Sequence, residues 1–153
     1  MKNHRSYFLA RHIADFLYTE IIDIISEQRM FSYFREPLVI PIPINKKRMQ
    51  ERGFNQTHIY TKFLSKKLQA RYSPDILKRK PSPQKQALVH NKHARFENVK
   101  NCFYISQKNL SFVRGKDIII VDDVMTTGAT LNEAEKTLKR AGARNIIAIT
   151  LAH

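Results

Sequence analysis

Two adjacent aspartates, followed closely by several hydroxyl side chains and a glycine, are the residues of this 153-residue chain whose types and spacing best suit chemistry. Asp122 and Asp123 end an apolar run that begins at Ile118 and is typical of a buried strand. Because side chains alternate along a strand, we expect the two carboxylates to leave toward opposite faces. Carboxylates in this position can bind sugar hydroxyls, hold a hydrated Mg²⁺ or act as a catalytic base, and hydroxyl binding is the simplest of these roles.

A phosphate-binding loop is predicted directly after the aspartates. Gly128 can adopt positive φ and lets the backbone approach a ligand closely. The helix predicted to begin at Thr130 would add amide donors and the positive end of its dipole. A strand, a polar turn and an ordinary helix cap would explain parts of this string but not all of it. The predicted phosphate-binding residues are Val124, Met125, Thr126, Thr127, Gly128, Ala129 and Thr130.

Strand and helix patterns alternate along the rest of the chain. The alternation predicts an α/β fold of three layers, a mostly parallel sheet flanked by helices, in a single domain of residues 1–153. Ligands bind at the carboxyl ends of the strands in such sheets, so the loops after residues 38–42 and 118–121 should meet there. The predicted strands are residues 38–42, 101–106, 118–121 and 145–151, with a further strand starting at 75–77, and the predicted helices are residues 7–27, 55–69 and 130–141.

The helix patterns also predict details at single residues. In the first helix His12 lies on the apolar face, where we expect it to be packed rather than catalytic, and the pattern allows a break near Tyr18 and Thr19. Asn55 is expected to cap the second helix. Gly142 is expected to end the last helix as a C′ glycine.

Two basic loops are predicted to flank the phosphate-binding loop. The first, residues 44–53, could meet a diphosphate through its backbone amides, although its charges equally suit a solvated surface. The second, residues 79–95, is predicted to be mobile, so that its closure could exclude water, with simple surface charge as the alternative. The candidate diphosphate residues are Ile44, Asn45, Lys46 and Lys47, and the candidate basic residues of the loops are Arg48, Arg52, Arg79, Lys80 and Arg95.

The string of residues 118–130 resembles the phosphoribosyl-diphosphate signature of the type I phosphoribosyltransferases. In that family a strand ends in paired acidic residues and the following loop reads Thr-Thr-Gly-x-Thr, as it does here. The resemblance implies that Asp122 and Asp123 contact the ribose 2′- and 3′-hydroxyls and that the loop wraps the 5-phosphate. It also implies Mg²⁺ as cofactor, bound to diphosphate and ribose oxygens and in reach of the two aspartates.

A second stretch narrows the resemblance. Residues 39–56 contain Val-Ile-Pro-Ile-Pro, a basic run and Arg-Gly-Phe-Asn-Gln, and so resemble the ComF/ComFC branch linked to DNA uptake in natural transformation. Competence helicase and DNA-loading proteins are the partners that this resemblance implies. Many ComF proteins begin with a cysteine-rich zinc module, which the single cysteine of this chain, Cys102, cannot build.

The charge of the chain is strongly positive and unevenly distributed. Its formal net charge is +14, and residues 43–100 alone hold 15 Lys and Arg against 3 Asp and Glu. A field of this sign attracts phosphates, which favours single-stranded DNA as a partner over a merely solvated basic surface. With one cysteine, no signal-like N-terminus and no apolar run of membrane-spanning length, the sequence favours a cytoplasmic protein without a membrane span.

Three hypotheses for function follow. The first is a ComF-like competence protein that binds a phosphoribosyl or phosphate group and single-stranded DNA. The second is an active phosphoribosyltransferase, a glycosyltransferase acting on an unidentified acceptor, and the third is a sensor of phosphoribosyl diphosphate without turnover. The basic segment 43–100 favours the first. Asp122 and Asp123 favour the other two, since DNA lacks paired ribose hydroxyls.

Overall fold

The computed structural model describes residues 2–27, 36–44, 49–50, 55–81, 99–123 and 128–150. Helices and strands alternate through most of these ranges, as the sequence predicts. The helices are α1 (Lys2–Glu27), α2 (Gln56–Lys67), α3 (Leu110–Val113) and α4 (Ala129–Arg140), and the strands are β1 (Leu38–Pro41), β2 (Arg71–Tyr72), β3 (Leu77–Arg79), β4 (Phe103–Ile105), β5 (Ile118–Asp122) and β6 (Ile146–Thr150).

Four strands form a parallel sheet in the order β2-β1-β5-β6. Val39 of β1 lies opposite Ile119 of β5, and Ile120 lies opposite Ala148 of β6. Strands β3 and β4 form a separate antiparallel ribbon, with Lys78 opposite Tyr104. The parallel sheet with flanking helices confirms the predicted α/β fold.

The central strand β5 is buried on both faces, which explains its uninterrupted apolar sequence. Ile118 and Ile120 pack on one side with apolar residues of the ribbon and α4, such as Leu138. Ile119 and Val121 pack on the other side, with residues of α1 and α2. The sheet is therefore the middle of three layers, and each layer of helices or ribbon covers one set of alternating side chains.

Helix α1 differs from its prediction in two ways. It runs without a break through Tyr18 and Thr19, and the Thr19 hydroxyl donates to the Asp15 carbonyl within the helix. His12 is exposed rather than packed in the core, and its ring lies edge-on to that of Phe8, 4.4 Å between centroids. The prediction was wrong because, among the described side chains of α1, those that pack in the core beside the sheet are Leu17, Ile13 and Tyr18, and His12 lies outside this group.

Two smaller differences concern the strands. Strand β2 is absent from the predictions, since its two residues are defined by pairing with Leu38 and Val39 rather than by a pattern of their own. Arg79 is the last residue of β3, not the first residue of a loop. In the described part of the chain, no helix is long and apolar enough to cross a membrane.

Candidate phosphoribosyl site

The candidate site lies where the strand order reverses. From β1 the chain continues to β2 on one side, whereas β5 lies on the other side and leads to β6. Ligands bind outside the carboxyl ends of strands at such a reversal. The Ile42 amide, one residue past β1, donates to the Val121 carbonyl at 2.8 Å, so the ends of β1 and β5 lie side by side. The segments that leave the two strands therefore start side by side at this edge of the sheet, which we call the crevice.

Asp122 and Asp123 occupy the end of β5 at this crevice. They are 7% and 9% exposed. The Asp122 Oδ1 atom accepts a hydrogen bond from the Asp123 amide at 2.8 Å, which holds the backbone as it leaves the strand. Asp122 has the same parity in the strand as Ile118 and Ile120, so its side chain leaves on the α4 face. The two carboxylates are therefore largely buried and lie at the carboxyl end of the central strand.

The first turn of α4 follows these aspartates. Gly128 is the N-cap of α4 and has a left-handed backbone (φ 69°), the conformation for which the sequence predicted a glycine. As a glycine it provides no side-chain acceptor to the first turn of the helix. The helix begins at Ala129, one residue before the predicted start at Thr130. The amino end of α4, which carries the positive end of the helix dipole, is thus directed at the same edge of the sheet as β5.

The end of β1 is tied to the start of α2 by one buried side chain. Asn55 caps α2 as predicted, because its Oδ1 atom accepts from the Thr57 amide at 3.1 Å. Its Nδ2 atom also donates to the Ile42 carbonyl at 3.2 Å. The amino end of α2 is therefore fixed at the same edge of the sheet as the crevice. The sequence indicated the cap but held no signal for the second bond, whose partner is thirteen residues away.

The ribbon approaches α4 through another buried polar residue. Glu133 accepts a hydrogen bond from the Asn101 amide at 2.8 Å. Beside it the half-buried thiol of Cys102 has a pKa raised chiefly by burial. The Arg79 guanidinium lies 5.3 Å from the centre of the Phe103 ring, so it packs on the ribbon. Glu133 was not predicted as a functional or buried residue, since its partner is 32 positions away.

The structure describes only some of the other predicted site residues. Of the diphosphate loop only Ile44 is described, half-buried and three residues past β1. Lys80 directly follows β3, where its amide donates to the Cys102 carbonyl at 2.8 Å. The predicted residues that lie outside the described ranges are Asn45, Lys46, Lys47, Arg48, Arg52, Arg95, Val124, Met125, Thr126 and Thr127.

The donor set at the crevice fits Mg²⁺ only in part. Asp122 and Asp123 supply carboxylate oxygens, the ligands that Mg²⁺ prefers. Within the ranges that the structure describes, no three His, Cys, Asp or Glu side chains converge as a metal site. These residues therefore suit a hydrated cation that receives further oxygens from its substrate.

Comparison with known proteins agrees with this geometry. Residues 60–153 match the family model described as the phosphoribosyl transferase domain. The chain belongs to this family.

Curated relatives connect the chain to competence proteins. It is 30% identical to competence protein F of Haemophilus influenzae, over 95% of this chain and 61% of that protein. It is 32% identical to DNA utilization protein YhgH of Escherichia coli (71% of this chain, 45% of that protein) and 32% identical to competence protein ComFC of Bacillus subtilis (74% and 43%). These similarities confirm the resemblance to the ComF branch. The chain spans less than two thirds of the length of each of these relatives.

Solved structures share the fold at low sequence identity. Glutamine phosphoribosylpyrophosphate amidotransferase from B. subtilis matches with a TM-score of 0.55 and 14% identity, over 95% of this chain and 26% of that one. Hypoxanthine phosphoribosyl transferase of Trypanosoma cruzi matches with a TM-score of 0.54 and 13% identity, over 94% of this chain and 64% of that one. The fold is thus that of the type I phosphoribosyltransferases.

Proposed function

We propose that the crevice between β1 and β5 binds the 5-phosphoribosyl group of phosphoribosyl diphosphate with Mg²⁺, in a competence protein that also handles single-stranded DNA during DNA uptake. The observation that carries the first part is the placement of Asp122 and Asp123. They are fixed at the end of the central strand, at the reversal of strand order, with the left-handed Gly128 and α4 following.

The roles of the residues follow from their chemistry. The two carboxylates accept hydrogen bonds from the ribose hydroxyls, which offset part of the free-energy cost of keeping the charges buried. Residues 124–130, including the first turn of α4, surround the 5-phosphate with amide and hydroxyl donors. Residues 44–47, which follow β1 in the sequence, are the part of the chain that we assign to the diphosphate. Mg²⁺, when bound, neutralises negative charge on the diphosphate.

The DNA-handling part of the proposal rests on charge and on relatives. The segment 43–100 holds 15 of the 27 Lys and Arg residues of the chain and 3 of its 13 Asp and Glu residues. That excess is larger than one diphosphate requires. The relatives named competence protein and DNA utilization protein support a polynucleotide as the second ligand.

Thermal unfolding with and without phosphoribosyl diphosphate and Mg²⁺ tests the sugar-phosphate site. At a ligand concentration of a hundred times Kd, we expect the ligand to raise the melting temperature of the wild-type protein by about 5–10 °C. An Asp122→Asn, Asp123→Asn variant should lose most of this rise. The matched control is Glu20→Gln, Asp23→Asn, which removes two exposed acids of α1 and should keep it. Equal stabilisation of all three proteins would refute the assignment of the aspartates.

A second candidate function is phosphoribosyl transfer, which membership of the phosphoribosyl transferase domain family favours. The step would break the bond between ribose C1 and diphosphate while an acceptor forms a bond to C1, with diphosphate leaving. The chain would orient the sugar and neutralise the leaving group. Diphosphate release is the measurement, with a panel of nucleobases as acceptors and the Asp122→Asn, Asp123→Asn variant as control. Release no faster than with Mg²⁺ alone across the panel would leave the binding function and remove the transferase.

A further inference from the structure

A groove of 430 Å³ runs between β4 and the second half of α4. Phe103 and Ile105 form its apolar floor. The rim is polar and comes from three parts of the chain: Lys80 follows β3, Asn101 precedes β4, and Thr137 and Arg140 lie on α4.

The two cations at this rim differ from other cations nearby. Lys80 and Arg140 are exposed, and no carboxylate of the described residues pairs with either. By contrast, Lys139, the neighbour of Arg140, pairs with Glu135 at 2.6 Å. Lys67 on the other side of the sheet pairs with Asp15. The groove therefore keeps its positive charge available to a bound anion.

The face of the ribbon turned away from the groove floor adds to this positive charge. Lys78 and Tyr104 lie directly opposite each other there, and Tyr104 is 40% exposed. Because side chains alternate along β3, Lys78 and Arg79 lie on opposite faces of the ribbon, and Lys80 follows them at its end. Cations that track a backbone together with an exposed aromatic ring are the combination that binds single-stranded nucleic acids, since an unpaired base can stack on the ring.

We propose that single-stranded DNA binds in this groove, through Lys80 and Arg140, and passes round the end of the ribbon to its outer face, where it contacts Lys78 and Tyr104. The inference deepens the DNA part of the proposed function and depends on it. A single strand fits better than a duplex, because a duplex hides its bases and would leave Tyr104 without a stacking partner. Arg140 lies at the end of α4 opposite Gly128, about 18 Å along the helix axis, so the groove is separate from the sugar-phosphate crevice.

Fluorescence anisotropy with a labelled oligothymidylate, measured over a range of salt concentrations, tests the groove. Each phosphate contact on a single strand contributes about 0.7 to the slope of log affinity against log salt. We expect the double variant Lys80→Gln, Arg140→Gln to reduce the magnitude of this slope by about 1.4, because two phosphate contacts are lost. The matched control, Lys62→Gln, Lys66→Gln, removes two exposed lysines from α2 on the opposite side of the sheet and should change it by less than half as much.

Tyr104→Ala separates stacking from charge. We expect it to weaken single-strand binding by about five- to 150-fold and to leave the weaker binding of a duplex unchanged. A melting curve of every variant serves as the control that each one is folded at the assay temperature.

The outcomes distinguish the groove from the wider proposal. If the wild-type protein binds DNA and the two double variants lose affinity equally, diffuse charge binds the strand and the groove is refuted. An unchanged affinity in the groove variant, or equal effects of Tyr104→Ala on single strands and duplex, also refutes it. If the wild-type protein binds no DNA at low salt, the DNA part of the proposed function is itself refuted.

Discussion

The two ends of strand β5 both carry aspartates, and the structure uses them differently. At the amino end, Asp117 is fully buried and accepts hydrogen bonds from Arg144 and Asn145, which precede the neighbouring strand β6. At the carboxyl end, Asp122 accepts the backbone amide of Asp123, and both carboxylates lie at the crevice. One end of the strand thus joins two strands by side-chain bonds, whereas the other holds its acids at the carboxyl edge of the sheet, where we propose that a ligand binds.

Under the proposed function, this difference separates stability from ligand binding along a single strand. The Asp117 side chain receives a two-pronged guanidinium bond and an amide bond, an arrangement that fixes β5 against β6. Its bond with Arg144 raises the pKa of that guanidinium, which stays charged at any pH of interest. Binding sites commonly hold groups that folding alone does not favour. We therefore expect mutations at the two ends to affect different measurements.

The largest effect on stability is expected at the amino end. Asp117→Ala removes three charge-assisted hydrogen bonds and leaves the guanidinium of Arg144 and the amide of Asn145 without this partner. The free energy of unfolding should fall by about 3 kcal/mol, the upper part of the range for hydrogen bonds to a charged group. Urea unfolding measures it, as a lower midpoint with an unchanged slope.

The control for this prediction is an acid in an exposed pair. Glu135→Ala breaks the bond with Lys139 on the surface of α4 and should cost no more than about 0.5 kcal/mol. Similar losses in the two variants would show that the buried bonds of Asp117 add nothing beyond a surface ion pair.

At the carboxyl end of β1, Asn55 is expected to contribute to stability through a cap. Asn55→Ala removes the bonds to Thr57 and Ile42, and the free energy of unfolding should fall by about 1–2 kcal/mol. Asn55→Asp keeps an acceptor for the Thr57 amide but loses the donor to the Ile42 carbonyl. It should therefore lie between wild type and Asn55→Ala in urea unfolding. Equal values for the two variants would mean that the bond to Ile42 carries the whole effect.

The features that the sequence predicted at the carboxyl ends of β1 and β5 are local ones. The apolar run before Asp122, the left-handed Gly128 and the cap at Asn55 each depend on residues within a few positions, so their types were informative. The bonds of Asp117 connect residues 27 and 28 positions apart. Only pairing between β5 and β6 brings those residues together, and a single sequence does not contain that information.

Errors in the sequence predictions have a similar origin. The pattern of α1 placed His12 on an apolar face, but how much of that face is buried depends on the elements that pack on it. Glu133 lies in a helix that the sequence predicted, yet its burial follows from the approach of Asn101, 32 positions earlier. The sequence patterns of β1 and β5 were enough to predict where the crevice lies. They were not enough to predict the contacts between distant residues, such as Glu133 and Asn101, that fix the elements around it.

A smaller effect is expected from pH in the first turn of α2. Burial lowers the pKa of His58 below its usual 6.5, against an opposing influence of Asp75, and the Tyr72 hydroxyl lies 3.1 Å from its Nδ1 atom. The unfolded chain therefore binds the proton more readily. This contribution to stability is complete above pH 6.5 and is lost as pH falls from there through the lower pKa of the folded state.

Urea unfolding at several pH values checks this prediction. His58→Gln should reduce the slope of unfolding free energy against pH just below 6.5, by less than about 1.4 kcal/mol per pH unit, the limit for one proton. Equal slopes in the variant and the wild-type protein would exclude His58 as the source.

The smallest change in stability is expected where the largest change in binding is proposed. In the unliganded protein Asp122→Asn, Asp123→Asn retains the shape of both side chains and an oxygen that can accept the Asp123-position amide. Because this replacement keeps the side-chain volume and the acceptor for the Asp123-position amide, the free energy of unfolding should change by less than about 1 kcal/mol. A loss close to that of Asp117→Ala would mean that the fold depends on acids at both ends of β5, and the proposed contrast between them would be wrong.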